Sequence, residues 1–158
     1  MNGTDDAKHP DHAGVAFRPP VMLLACLGLG FLLRWLVPLS VPTVSRMIGP
    51  VVVAMALAIF IWAVSTMLRG RASIPTNTPT DAIVSSGPFR FSRNPIYLSM
   101  ILLQIGVGVW TKSVWFFALA ALSSALLTVG VIVREERYLE RKFGDEYLSY
   151  KSRVRRWI

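Results

Sequence analysis

Two short polar motifs carry the side chains of this sequence that are best suited to chemistry. The first contains Arg93, Asn94 and Tyr97, and the second is the adjacent pair Glu135 and Glu136. An arginine can bind a carboxylate through parallel hydrogen bonds, and carboxylates accept hydrogen bonds from hydroxyl and ammonium groups. Together these groups suit the recognition of a zwitterionic cofactor.

Each motif has a simpler explanation when it is taken alone. Asn94 and Pro95 are typical of a helix start, with Asn94 as the N-cap and Pro95 in the first turn. Arg93 could simply follow the excess of positive residues on the cytoplasmic side of membranes. Glu135 and Glu136 could pair with neighbouring arginines. The two motifs therefore point to function only in combination.

The other reactive side chains exclude several kinds of site. Cys26 is the only cysteine, which excludes a disulfide framework and a cysteine-based zinc site. His9 and His12, the only histidines, lie in the polar N-terminal tail. We therefore expect neither a bound metal nor a buried histidine base.

The composition indicates a membrane protein. Of 158 residues, 53% are hydrophobic and only 16% are charged, against about a quarter in an ordinary soluble domain. The net charge of +8 could indicate a nucleic-acid partner or an anionic membrane surface. The high apolar fraction favours membrane lipids, so we expect no nucleic acid.

Four apolar runs predict an all-α, polytopic membrane protein. A span needs about 20 apolar residues, and lipid cannot satisfy backbone groups outside helices or closed barrels. We expect a tail over residues 1–19 and a single domain over residues 20–158. The predicted spans cover residues 20–37, 48–68, 95–110 and 113–133, and a cytoplasmic amphipathic helical segment follows over residues 134–158.

The positive residues predict the orientation. Fourteen lysines and arginines lie in the N-terminal tail, the loop between spans two and three, and the C-terminal segment. Only Arg46 and Lys112 lie in the other two loops, and Arg34 lies near the end of the first span. Both termini are therefore expected in the cytoplasm, most simply at a bacterial cytoplasmic membrane.

Apolar residues recur at intervals of three and four along the C-terminal segment, which is typical of an amphipathic helix. Gly144 and Asp145 are expected to divide it into two helices, with Asp145 as the second N-cap. On its charge pattern alone, this segment could lie on anionic lipid. The stripe consists of Leu139, Phe143, Tyr147, Tyr150 and Val154.

The third and fourth spans are joined by a short loop, so they form an antiparallel hairpin. The start of the third span and the end of the fourth therefore lie at the same membrane face. That geometry brings the arginine motif and the glutamate pair to one polar edge above an apolar interior, which suits a zwitterionic cofactor and a lipid-soluble substrate.

At this point the sequence resembles the integral-membrane methyltransferases, which include isoprenylcysteine carboxyl methyltransferases and phospholipid methyltransferases. The resemblance covers about residues 85–158 and joins three patterns in order. They are Arg-Asn-Pro-x-Tyr at residues 93–97, Glu-Glu at 135–136 and Phe-Gly-x-x-Tyr-x-x-Tyr at 143–150. Asn94 stands where the prenylcysteine branch has histidine, as in the phospholipid-like branch.

The resemblance implies S-adenosylmethionine (SAM) as methyl donor and S-adenosylhomocysteine as product. Arg93, Tyr97 and Glu136 are the residues expected to act in catalysis, with Arg93 holding the cofactor carboxylate. Gly106 and Gly108 would allow close approach of the cofactor, although small residues in spans usually serve helix packing. The expected cofactor-binding set is Arg93, Asn94, Pro95, Tyr97, Leu98, Gly106, Gly108, Glu135, Glu136, Tyr147, Tyr150 and Arg153.

The methyl acceptor is expected to be lipophilic or membrane-embedded: an isoprenylcysteine-like carboxylate, a lipid head group or a small hydrophobic molecule. Two alternatives stay open, an NADPH-dependent sterol-reductase-like enzyme and a non-enzymatic four-span protein such as a transporter. A proton-coupled transporter would carry an acid inside a span, and the runs contain none. Arg34 could extend to the outer interface, and Gln104 could bond across helices. The oligomeric state stays open.

Overall fold

The computed structural model describes residues 16–41, 45–70 and 82–158, which form helices joined by short connections. A 3₁₀ turn, Gly87–Arg90, precedes the third helix, and a π-helical segment, Thr128–Ile132, joins the fourth helix to the fifth. No β-strand occurs within the described ranges, so the predicted all-α fold class is confirmed. The α-helices are α1 (Pro19–Leu36), α2 (Ile48–Arg69), α3 (Pro95–Thr111), α4 (Val114–Leu127), α5 (Val133–Phe143) and α6 (Asp145–Arg153).

The predicted apolar runs coincide with helices, as expected of a polytopic membrane protein. α1, α2 and the continuous helical rod from α4 through α5 are long and apolar enough to cross a membrane. α3 is equally apolar but has 17 residues. The rod shows that the fourth span runs on without a break into the first part of the amphipathic segment. Most of the predicted N-terminal tail lies outside the described residues.

α3 is the central helix, since it packs against α2 on one side and α4 on the other, while α1 packs mainly on α4. Glycines allow these helices to approach closely. A Cβ on Gly49 of α2 would lie 2.4 Å from the backbone nitrogen of Trp110, and one on Gly30 of α1 would lie 2.6 Å from the Phe116 ring. Close packing by small residues therefore sets the spacing of the bundle.

A buried polar cluster links three helices inside the apolar bundle. The Ser123 hydroxyl of α4 donates to Gln104 Oε1 of α3 at 3.1 Å, and it lies 3.4 Å from the Cys26 sulfur of α1. Gln104 and Ser123 are fully buried. The expected bonding of Gln104 across helices is therefore observed, and it satisfies polar groups that lipid could not.

The π-helical segment is held by the chain that precedes α1. The backbone nitrogen of Ala16 donates to the Gly130 carbonyl at 3.1 Å. The ring of Phe17 covers Gly130 so closely that a Cβ there would lie 2.6 Å from it. A π-turn adds a residue to the helical repeat and rotates everything that follows it, so this segment sets the direction in which α5 presents its side chains.

α5 and α6 are separated at Gly144, as the sequence predicts. Gly144 has a positive φ of 53°, a conformation that glycine adopts without steric cost. The expectation that Asp145 is the second N-cap is wrong, because Gly144 occupies that position and Asp145 is the first helical residue. Gly144 can take the cap position because the sharp turn there needs φ above zero, which disfavours a side chain.

The loops at the other end of the bundle are tied together. The backbone nitrogen of Val41 donates to the Lys112 carbonyl at 2.9 Å, and that of Val114 donates to the Leu39 carbonyl at 3.2 Å. Lys112 has a φ of 53° at the tight turn between α3 and α4. The α1–α2 and α3–α4 connections therefore form one closed end, opposite the end that carries the arginine and glutamate motifs.

We expect Gly49→Ala to lower the melting temperature in detergent by several degrees, because the new methyl group would press on the Trp110 backbone, which cannot move aside cheaply. Such overpacking costs about 1–3 kcal/mol. Gly28→Ala is the matched control, since a Cβ on Gly28 meets nothing within 4 Å. Unfolding can be followed by a thiol-reactive dye that labels buried Cys26. Equal melting temperatures for the two variants would contradict the packing account.

Candidate functional site

The two predicted motifs meet at one end of the bundle. Nη2 of Arg93, just before α3, lies 3.2 Å from Oε1 of Glu136 on α5. The Tyr97 hydroxyl, in the first turn of α3, donates to Oε1 of Glu135 at 2.8 Å. The antiparallel arrangement of α3 and the α4–α5 rod thus brings together side chains about forty positions apart in the sequence.

The last residues of the chain complete this cluster. Arg156 binds Glu136 through two parallel hydrogen bonds, Nε to Oε1 at 3.0 Å and Nη2 to Oε2 at 2.7 Å. The Asn94 side-chain nitrogen donates to the Arg156 carbonyl at 2.9 Å, and the Arg93 backbone nitrogen donates to the Arg155 carbonyl at 3.0 Å. We call residues 154–158 the C-terminal strap, because they cross the start of α3 and hold it against α5.

Asn94 occupies the predicted N-cap position but does not cap the helix with its side chain. Its side-chain amide instead donates to the strap, and its backbone nitrogen donates to the Ser92 hydroxyl oxygen at 3.1 Å. Pro95 is buried as the first residue of α3, as expected. Leu98 follows one turn later and is half-buried. The start of α3 is therefore held by hydrogen bonds to both Ser92 and the strap.

The charge of the cluster is unbalanced. The Arg93 and Glu136 side chains are only 9% and 7% exposed, so both charges are largely removed from water. One carboxylate, Glu136, faces two guanidinium groups, those of Arg93 and Arg156. In addition, Nε and Nη1 of Arg93 are buried and have no hydrogen-bond partner in the described part of the chain. Buried donors of this kind usually have a partner, so they mark a position for an anionic acceptor.

Two tyrosines of α6 form the wall beside these charges. Tyr147 and Tyr150 are buried, with ring centroids 6.1 Å apart in an edge-to-face arrangement. Burial raises the pKa of the Tyr147 hydroxyl to about 12; Glu136 adds to the rise and Arg93 opposes it. Burial also raises the pKa of Tyr150, whose hydroxyl donates to the Phe89 carbonyl at 2.8 Å. Both tyrosines are therefore neutral hydrogen-bonding groups near pH 7.

The structure does not bring three of the expected residues into this cluster. Arg153 is exposed, and its Nε bonds the Ser149 carbonyl of its own helix. A Cβ on Gly106 would meet Val53 of α2, and one on Gly108 would meet Phe116 of α4.

Along α3, the two glycines lie nine and eleven positions beyond Tyr97, which corresponds to about 14 Å or more at 1.5 Å per residue. Helix packing accounts for both of them. Cofactor contact by these glycines and by Arg153 stays a prediction.

Sequence reasoning missed Arg156 as a member of the site. It is one of eight basic residues in the C-terminal segment and was counted only toward the orientation. The available signal was the buried glutamate itself, which requires a positive partner. The pattern could not show which basic residue would supply it, because that depends on how the strap folds back.

An apolar cluster lies directly beneath the polar groups. It contains Tyr97, Met100, Leu127, Val131 and Ile132, with Phe17 and Trp157 packed against it. The charged groups of the site therefore lie next to a buried apolar cluster that continues into the bundle. Among the described residues, no group of three or more histidine, cysteine, aspartate or glutamate side chains could hold a metal ion.

The relatives of this chain include three bacterial proteins that share parts of its sequence. The cobalt-zinc-cadmium resistance protein CzcN of Cupriavidus metallidurans is 32% identical over 113 residues, covering 70% of this chain and 52% of CzcN. Methanethiol S-methyltransferase 1 of Bradyrhizobium diazoefficiens is 35% identical over 91 residues, covering 58% of this chain and 29% of that enzyme. An uncharacterized protein of Haemophilus influenzae is 38% identical over 63 residues, covering 40% of this chain and all of that protein.

The matched region thus makes up about half of the metal-resistance relative and under a third of the methanethiol enzyme. The sequence profile of the phospholipid methyltransferases matches residues 44–146, well over half of the chain. The matched region includes α2 to α5 and both site motifs, but it does not include the strap. The resemblance first seen in the motifs is confirmed: this chain belongs to the phospholipid methyltransferase family.

Proposed function

We propose that this protein transfers the methyl group of SAM to a lipophilic acceptor at the end of the bundle where Arg93 and Glu136 meet. The observation that carries the proposal is the pair of buried, unpartnered donors on Arg93, Nε and Nη1. Each of them can donate to a carboxylate oxygen of SAM, and a hydrogen bond between a guanidinium and a carboxylate is strengthened by the opposite charges. Family membership and the relative named as a methyltransferase support the same reaction class.

Glu136 has two roles in this proposal. Its single negative charge is shared between Arg93, whose side chain is 9% exposed, and Arg156, whose side chain is 37% exposed. It also fixes Arg93 through Nη2, which leaves Nε and Nη1 as the donors without a partner among the described residues. A positioned arginine can then bind the cofactor carboxylate without losing further side-chain freedom.

Glu135 and Tyr97 are the second pair of binding groups. Their mutual hydrogen bond at 2.8 Å orients the carboxylate, which retains lone pairs for the hydroxyl or ammonium groups of the cofactor. Tyr97 also belongs to the apolar cluster, so its ring joins the charged groups to that cluster. This pair is suited to orienting ligands rather than to forming a covalent bond.

The bound cofactor supplies the chemistry, an electrophilic methyl group on a sulfonium. The protein needs to align this group with the acceptor and exclude water, and positioning of this kind can contribute about 7–11 kcal/mol in favourable cases. The apolar cluster around Met100 and Leu127 supports both tasks, since it excludes water below the charged groups. No histidine or cysteine nucleophile is required.

The acceptor is proposed to enter from the bilayer, since the charged groups lie next to an apolar cluster formed by the membrane-spanning helices. A lipid head group, a prenylated carboxylate or a small hydrophobic thiol would each fit an apolar approach with one polar reacting atom. In the proposed orientation the site faces the cytoplasm of a bacterial cell, where SAM is made, and both termini lie on that side.

We expect Arg93→Ala to abolish the rise in melting temperature that S-adenosylhomocysteine gives the full chain in detergent, because the carboxylate loses its two donors. Arg90→Ala is the matched control, since Arg90 is an exposed arginine three positions away. Arg93→Lys retains the charge but not the paired donors, and should weaken binding by about tenfold. The readout is thermal shift with Cys26 labelling, with NADPH titrated in parallel.

Unchanged stabilisation of Arg93→Ala by S-adenosylhomocysteine would contradict the assignment of Arg93. Stabilisation of the unmodified chain by NADPH instead of S-adenosylhomocysteine would contradict the proposed function itself. Transfer of radioactive methyl from labelled SAM into a membrane lipid extract, present in the unmodified chain and lost in Arg93→Ala, would then identify the acceptor fraction.

We expect Glu136→Gln to destabilise the protein by about 3–5 kcal/mol, because it leaves the buried guanidinium of Arg93 without a counter-charge and removes the partner of Arg156. Glu140→Gln is the matched control on the same helix. Glu140 pairs with Lys151, but the two side chains are 32% and 37% exposed, and such a surface pair contributes about 0–1 kcal/mol. The measurement is denaturation in detergent; similar losses for the two variants would show that the Glu136 cluster is not a buried charge network.

A further inference from the structure

We propose that a second binding site, at the opposite end of the bundle, holds an anionic phospholipid by its phosphate. A cleft of about 360 Å³ opens there between α1 and α3. It is lined by Phe31, Arg34, Arg46, Val107, Trp110 and Thr111. The proposal is independent of the methyltransferase function.

The positive charge at this end has no acidic counterpart among the described residues. Arg34 lies in the last turn of α1, and Arg46 lies just before α2. Both residues therefore line the same cleft. The sequence has no aspartate or glutamate between Asp11 and Asp81, and none between Asp81 and Glu135.

Among the described residues, all of the acids lie in α5 and α6, at the other end of the bundle. Neither arginine forms an ion pair with any described residue. An anion from outside the chain can therefore pair with both guanidinium groups.

The shape of the cleft matches an amphiphile better than a free ion. Phe31 and Trp110 are each 51% exposed and, with Val107, provide apolar surface beside the two arginines. Inorganic phosphate would satisfy the guanidinium groups and leave this apolar surface uncovered. A phospholipid satisfies both, with its phosphate on the arginines and an acyl chain along the apolar wall.

The position of the cleft fits the depth of lipid phosphates. Arg34 and Arg46 lie at helix ends, where a spanning helix leaves the hydrocarbon core and meets the head groups.

The cleft is also separate from the candidate methyl-transfer site. Trp110 is thirteen positions beyond Tyr97 on α3, which corresponds to about 20 Å along the helix axis. A lipid bound here would bridge α1 and the loop before α2, two parts of the bundle that otherwise meet mainly through α3.

The test is titration of the full chain in a neutral detergent, with unfolding followed by Cys26 labelling and bound lipid counted by native mass spectrometry. The probes are phosphatidylglycerol, phosphatidylcholine with the same acyl chains, and inorganic phosphate. We expect phosphatidylglycerol to raise the melting temperature and remain bound, phosphatidylcholine to do so weakly, and inorganic phosphate to have little effect.

The double variant R34Q/R46Q should lower the affinity for phosphatidylglycerol by about tenfold or more, because two charge-assisted contacts are lost. Lys112→Gln is the matched control, as it removes a positive charge at the same end but outside the cleft. Both arginines are exposed, so the lipid-free melting temperature of the double variant should stay near that of the unmodified chain and report its folding.

Three results would overturn the proposal. The first is that phosphatidylglycerol stabilises R34Q/R46Q and Lys112→Gln equally, which would mean that the two arginines of the cleft do not bind the lipid. The second is equal stabilisation by phosphatidylcholine, which would remove the requirement for an anion. The third is full stabilisation by inorganic phosphate alone, which would assign the cleft to a free ion.

Discussion

A carboxylate removed from water at the end of a helix bundle must be paired with positive charge, and in this chain that requirement joins three separate parts of the sequence. Glu136 of α5 pairs with Arg93 before α3 and with Arg156 of the strap. Removing Glu136 would leave the buried guanidinium of Arg93 without its counter-charge, which is costly. The same requirement explains why the strap docks at all, since its backbone carbonyls then accept hydrogen bonds from Asn94 and Arg93. The geometry of the candidate cofactor site thus follows from charge compensation around one glutamate.

The apolar part of the fold serves this pairing by fixing where α5 points. The rod from α4 to α5 is continuous, so its rotation decides which side chains reach α3. The π-helical segment sets that rotation, and Gly130 within it can be covered closely by Phe17 only because it lacks a side chain. The chain before α1 and the strap therefore both pack around the apolar cluster beneath Tyr97, one against the π-helical segment and the other through Trp157. Local helix geometry and the two chain ends act together on one site.

Most of the fold follows from hydrophobic runs and a few helix signals. Long apolar stretches bounded by Pro19, Pro95 and Gly144 indicate the helices because lipid leaves the backbone no other structure. The meeting of Arg93 with Glu136 was also predictable, since an antiparallel hairpin leaves its two ends at one face. The pairing of Arg156 with Glu136 was not predictable, because the partner of a basic residue in the C-terminal segment depends on how that segment folds back. Gly106 and Gly108 show the opposite difficulty: small residues in a span are compatible with both cofactor contact and helix packing, and here packing contacts are what the structure contains.

The distribution of acids explains why the two ends of the bundle have different chemistry. Arginines occur at both ends, but the glutamates beside the bundle lie at one. Where Glu135 and Glu136 are present, the positive charges are partly compensated within the chain, and Nε and Nη1 of Arg93 are the donors left for the proposed cofactor. Where acids are absent, Arg34 and Arg46 stay uncompensated beside exposed aromatic surface, a combination that suits an abundant amphiphilic anion. The bilayer supplies such anions at the depth of the helix ends. Under the two proposals, one basic sequence binds a soluble cofactor at one face and lipid at the other, because its glutamates all lie at one end.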